Sequence, residues 1–111
     1  MKNENLPCAY AEALFELAES KGLLEVVSEE VAFLEKLFSS DSTLRVFFES
    51  PGIKEREKYA LFEAVFRGKL EDILVNFLLL VVRRGRQLHF LDMLGAFADL
   101  HDKKRGLVHA K

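Results

Sequence analysis

Between Leu23 and Phe38 the chain reads LLEVVSEEVAFLEKLF. Leu24, Val27, Val31, Leu34 and Phe38 recur at steps of three and four, which lines them along one face of a helix. Breakers on either side repeat the same grammar along the whole sequence. Lys21-Gly22 ends a preceding helix over about Leu6 to Ser20, whose first turn tolerates Pro7. Ser39-Ser40-Asp41-Ser42 is the next break, and Asp41 can cap a short third helix ending near Glu49. Ser50-Pro51-Gly52 forces a turn. A fourth helix, about Lys54 to Phe66, sets Leu61, Phe62, Val65 and Phe66 on one side. A fifth spans about Leu70 to Arg84 and stops at Gly85; a sixth runs from about Leu88 to Arg105 and stops at Gly106. All the connections are short, which predicts roughly antiparallel neighbours in a compact six-helix bundle.

Composition supports the same all-α class. Nineteen Leu, 10 Ala and 10 Phe stand against 9 Val and 2 Ile, so helix formers dominate and stiff β-branched residues are scarce. Six Gly and two Pro leave little material for the turns of a sandwich or barrel. At 111 residues the chain is one domain's worth, enough to bury roughly two-thirds of its unfolded surface. The bundle is assigned to 1–105. The tail 106–111 alternates apolar and polar residues from Leu107, and is expected to begin a linker or strand towards an absent C-terminal domain.

The single cysteine, Cys8, has no internal disulfide partner, and no apolar stretch follows the polar start Met1 to Asn5. The longest apolar run, Ile73 to Val82, broken once by Asn76, is about half the ~20 residues that span a bilayer. A soluble chain in a reducing compartment, with no direct membrane insertion, is expected. Net charge is −2, but residues 1–50 carry 10 acids and 4 bases, and residues 51–111 carry 8 acids and 12 bases. The bases are interleaved with acids: Lys54, Arg56 and Lys58 alternate with Glu55 and Glu57, the pattern of a solvated helical surface.

Catalytic constellations are missing from the sequence. His89, His101 and His109 match no helical zinc spacing and read as surface or half-buried side chains. Cys8 reads as a small buried or half-exposed thiol. Gly52, Gly68 and Gly85 are single breakers and form no phosphate loop. The expectation is a non-enzyme with no metal and no cofactor.

The anomaly is how little polar surface two helices have. On a wheel of about 100° per residue, the first helix confines Glu12, Glu16, Glu19 and Ser20 to one arc. Two apolar stripes remain. One holds Ala11, Phe15 and Ala18, the other Leu6, Tyr10, Ala13 and Leu17, with Leu14 between them. The fifth helix has a core side of Leu70, Ile73, Leu74, Phe77 and Val81; opposite lie Asn76, Leu79, Leu80 and Arg83. A helix apolar all round is either central to its bundle or half of a groove for a partner's amphipathic helix. Six helices are too few to wrap two of their number completely, which favours the groove.

At these helices the sequence resembles a known family. Tyr10-Ala11-Glu12-Ala13-Leu14-Phe15 is similar to the Y-A-x-A-L-F opening of the delta subunit of F-type ATP synthases, whose mitochondrial counterpart is the oligomycin-sensitivity-conferring protein. Phe47 to Pro51, Asn76-Phe77-Leu78 followed by Gly85-Arg86, Leu91 to Phe97, and Arg105 to Ala110 resemble further segments in the same order. Lys54 stands where a capping Ser is common, which predicts a later or frayed start to the fourth helix.

The resemblance implies a stator component of the proton-translocating synthase, peripheral at the cytoplasmic face of the bacterial plasma membrane, which helps hold the catalytic hexamer against rotation. Its partners would be the N-terminal helix of an alpha subunit and, through a C-terminal domain, the peripheral-stalk b subunit; nucleic acid is not among them. Carried over, the alpha-helix groove takes Tyr10 and Ala13 from the first helix and Asn76 and Leu80 from the fifth. Geometry alone adds Leu6, Leu17, Leu79 and Arg83. The alternative from another class is a small all-helical RNA-binding factor of the antitermination type, using Arg83, Arg84, Arg86 and Lys103 to Arg105 on phosphates.

Overall fold

In the computed structural model, which describes residues 6–106, the breakers stand where the helices end. The elements are α1 (Leu6–Ser20), α2 (Leu24–Ser40), α3 (Ser42–Glu49), α4 (Glu55–Phe66), α5 (Asp72–Arg83) and α6 (Phe90–Lys104), with a 3-10 turn at Gln87–His89 leading into α6. The described residues hold no strand, only one bridge between Arg67 and Leu70. The strand-like tail, 107–111, lies outside the described residues.

Local chemistry accounts for the boundaries. The Asp41 carboxylate accepts the Leu44 N–H at 3.0 Å and starts α3. Lys54 offers no side-chain cap, and α4 begins one residue later, at Glu55. At the end of α5 the Arg86 N–H reaches the Val81 carbonyl (2.9 Å) and the Gly85 N–H the Val82 carbonyl (3.0 Å). That closure needs a left-handed residue, and Gly85 supplies it at φ 70°.

The hub is α6, packed along α1 and α2, while α5 lies between α4 and α1 and α3 braces α2. It runs antiparallel to α2, with Glu25 beside His101 and Phe38 beside Phe90, and parallel to α1, with Phe15 beside Phe97 and Glu19 beside Lys104. The whole α2 stripe, Leu24, Val27, Val31, Leu34 and Phe38, is buried. At the centre the Phe48 ring meets Phe38 and Phe62 at 5.3 Å each and Phe90 at 4.9 Å. One eight-residue helix thereby ties α2, α4 and α6 together through a single side chain. The radius of gyration, 13.9 Å, is close to the roughly 13 Å of a compact domain of this length.

Six readings need correction. Leu14, placed between stripes, is buried in the core with Ala11 and Ala18, while Phe15 is half-buried against Phe97. On α4 the inward face is rotated: Phe62 and Phe66 are buried, Val65 is 40% exposed, and Lys58 is only 2% exposed. Lys58 is no solvated surface charge. Its ammonium donates to the Ser50 carbonyl at 2.7 Å, at the C-terminal end of α3, where helix carbonyls lack internal partners. Burial pushes its pKa below the usual 10.5, against the pull of Glu55.

The α5 core arc is also wider than the wheel suggested. Leu74, Val75, Phe77, Leu78, Val81 and Val82 are buried, and Leu70 and Ile73 are only half-buried, because α5 packs between two helices, α4 and α1. His101 is buried rather than superficial, its Nε2 3.1 Å from Glu25 of α2. Cys8 is exposed, beside Glu12 and the α6 residues Ala96, Asp99 and Lys103.

Candidate functional site

The two helices with surplus apolar surface pack against each other. Their junction is aromatic: the Tyr10 ring meets Phe77 edge-on at 6.4 Å. Tyr10 and Leu6 are half-buried on α1, Ala13 is exposed, and Leu17 is 42% exposed. On α5, Asn76 and Arg83 are exposed, Leu79 is half-buried, and Leu80 is 37% exposed. The outer faces of both helices therefore carry apolar side chains in reach of water.

The four α5 residues share one open hollow of about 500 Å³, and its fifth lining residue is Tyr59 of α4. The α1 residues lie outside this lining; α1 flanks α5 on the Phe77 side and α4 on the other. Sequence reasoning missed Tyr59, since nothing in the spacing of α4 says that its ring reaches the outer edge of α5.

It also missed Arg67. Arg67 caps the C-terminus of α4, where Gly68 at φ 87° turns the chain back towards α5. Its guanidinium donates to both Glu63 oxygens (Nε to Oε1 2.9 Å, Nη2 to Oε2 2.7 Å), to Asp72 Oδ1 (3.2 Å) and to Asn76 Oδ1 (2.9 Å). The bonds to Glu63 and Asp72 raise the Arg67 pKa, and the bond from Arg67 pulls the Glu63 carboxyl below its usual 4.5. The Glu63–Arg67 pair was visible as an i, i+4 pattern; the reach to Asn76 across the turn was not. From α2, the Glu30 carboxylate accepts the Glu71 N–H at 2.8 Å and fixes the start of α5. Burial raises its pKa, and the bond to Glu71 opposes the rise.

A second apolar area lies between α2 and α4, a hollow of about 520 Å³ that includes Phe33, Leu37, Val65 and Lys69. Phe33 is 50% exposed there. Among the described residues, no group of three or more His, Cys, Asp or Glu side chains could hold a metal ion, and no helix is long and apolar enough to cross a membrane.

Comparison with known proteins identifies the family. Residues 8–111 match the family described as ATP synthase delta (OSCP) subunit. The chain is 35% identical over 111 residues to the ATP synthase subunit delta of Symbiobacterium thermophilum, covering all of this chain and 60% of that protein. It is 32% identical over 110 residues to the subunit of the same name from Shouchella clausii, covering 99% and 61%. For that of Salinibacter ruber the identity is 33% over 111 residues, covering 100% and 58%. The chain thus spans about three-fifths of the length of these curated relatives. A family match over nearly the whole chain, on a bundle of six helices, settles the kinship: the chain belongs to the ATP synthase delta (OSCP) subunit family.

Proposed function

We propose that the chain is a non-catalytic stator component of a proton-translocating F-type ATP synthase, and that α1 and α5 together bind the N-terminal helix of an alpha subunit. The observation that carries the reading is the pair of adjoining outer faces, with Ala13 and Leu17 on α1 and Asn76 and Leu80 on α5 in reach of solvent. Such faces fit an amphipathic helix with apolar anchors at i, i+3, i+4 and i+7. Membership of the delta family supports this partner over others.

The domain does no chemistry in this role. It holds the non-rotating hexamer so that rotor torque drives synthesis instead of co-rotation. Contact with the peripheral-stalk b subunit is assigned to a C-terminal domain, and the assembly sits peripherally at the cytoplasmic face of the bacterial plasma membrane. A permanent tether is well served by apolar contacts, which salt does not screen.

The test is calorimetric titration of the domain with a peptide of the alpha-subunit N-terminal helix, at low and at moderate salt. Affinity for the peptide is expected to change by less than about threefold between about 50 and 200 mM salt, whereas contacts to phosphates would lose about a thousandfold or more. Absence of peptide binding, or tight and steeply salt-dependent binding of RNA in its place, would overturn the reading.

A further inference from the structure

Asn76 is the one amide on the outer face of α5, and its orientation is fixed from behind. A guanidinium has donors only, so the atom that Arg67 holds at 2.9 Å is the carboxamide oxygen. The NH₂ group of Asn76 is therefore turned away from Arg67. The Arg67 charge is itself matched by Glu63 and Asp72. Seven residues on, Arg83 borders the same hollow, and among the described residues no carboxylate lies within 4 Å of it. Leu79 and Leu80 lie between these donors in sequence, and Tyr59 completes the lining. The Tyr59 hydroxyl is directed to Glu55 Oε1 at 3.4 Å.

We infer that this hollow between α4 and α5 is a polar-rimmed subsite of the partner surface, which takes an apolar side chain flanked by hydrogen-bond acceptors or carboxylates, and that Arg67 is the positioning residue that makes Asn76 a donor there. The inference rests on the reading that the occupant is the alpha-subunit N-terminal helix, and it adds the chemistry that helix must bring. Two helical turns separate Asn76 from Arg83, roughly 10.5 Å along the axis. The matching acceptors on the partner should be a similar distance apart, one on each side of the apolar residue. The complementarity is of charge as well as shape: the unmatched cation at the rim is Arg83, so a partner with a cation at that end would be repelled.

The sign of one substitution decides the matter. Asn76→Asp keeps an acceptor towards Arg67, and strengthens that bond with a second charge, but replaces the outward donor by an acceptor. Titrated with the alpha N-terminal peptide, the variant is expected to bind about 10- to 100-fold more weakly than the unaltered domain, with no fall in melting temperature. Unchanged or tighter binding would overturn the inference, since the partner would then present a donor or leave the hollow empty.

The positioning role has its own test. Arg67→Met is expected to weaken binding about fivefold when Asn76 is present, and to have no effect on binding in an Asn76→Ala background. An equal loss in both backgrounds would make Arg67 merely structural. Ala13→Asp, on the other helix, separates the two layers. If it abolishes binding while Asn76→Asp does not weaken it, only the present inference fails. If the unaltered domain does not bind the peptide, the functional reading fails and takes this one with it.

Discussion

Replacing Ala13 by aspartate is expected to lower affinity for the alpha-subunit helix by about two decades or more, while the domain stays folded. Ala13 is exposed in the middle of α1, so the carboxylate of the free domain remains in water. The cost to folding is then the helix propensity difference, roughly 0.5–0.7 kcal/mol. In the complex the same group would face an apolar helix. Burying it without a partner costs several kcal/mol, and every ~1.4 kcal/mol is a tenfold loss. Phe15→Asp is the matched control. Its ring packs edge-on against Phe97 of α6 at 5.6 Å, so a charge there should unfold the bundle. Circular dichroism and calorimetry on both variants separate a lost interface from a lost fold. Ala13→Asp that unfolds, or that binds with unchanged affinity, would contradict the placement of the groove.

Phe48→Ala is expected to remove about 3–5 kcal/mol of stability, the range for a buried aromatic truncated to alanine. A domain of this size has roughly 5–15 kcal/mol in all, so the variant should lie near the edge of unfolding. The effect should stand near the top of that range because Phe48 is the one fully packed side chain of α3 and touches rings from three other helices. Val46→Ala, on the same helix but at a residue 64% exposed, should cost less than about 0.5 kcal/mol. Denaturant melts of the pair give the comparison. A loss below about 1 kcal/mol for Phe48→Ala would mean that the phenylalanine cluster does not hold the helices together.

What the sequence made legible follows from the range of the interactions involved. The α2 stripe, the Asp41 cap and the glycine stop at Gly85 are set by residues a turn or less apart, and each stands where the spacing put it. Readings failed where burial depends on a second helix. Lys58 lies on the alternating charge run of α4, and only the approach of Ser50 from α3 gives its ammonium a partner away from water. Val75, Leu78 and Val82 could have been surface or core on a helix apolar all round; the helices packed around α5 decide it. At the candidate site, the exposed positions of Ala13, Leu17 and Leu80 were legible as second stripes. Tyr59 and Arg67 were not, because their part in the surface arises from the turn at Gly68 that folds α4 back along α5.

The central claim is that the partner helix lies on α1 and α5. It is tested most directly by titrating the isotope-labelled domain with the alpha N-terminal peptide and following every backbone amide by nuclear magnetic resonance. The largest shifts are expected at Tyr10, Ala13 and Leu17 on α1 and at Asn76, Leu80 and Arg83 on α5. The second apolar hollow, around Phe33 and Val65 between α2 and α4, should stay unperturbed. Shifts centred on Phe33 and Val65, with α1 and α5 silent, would place the partner in the hollow between α2 and α4 and contradict the account.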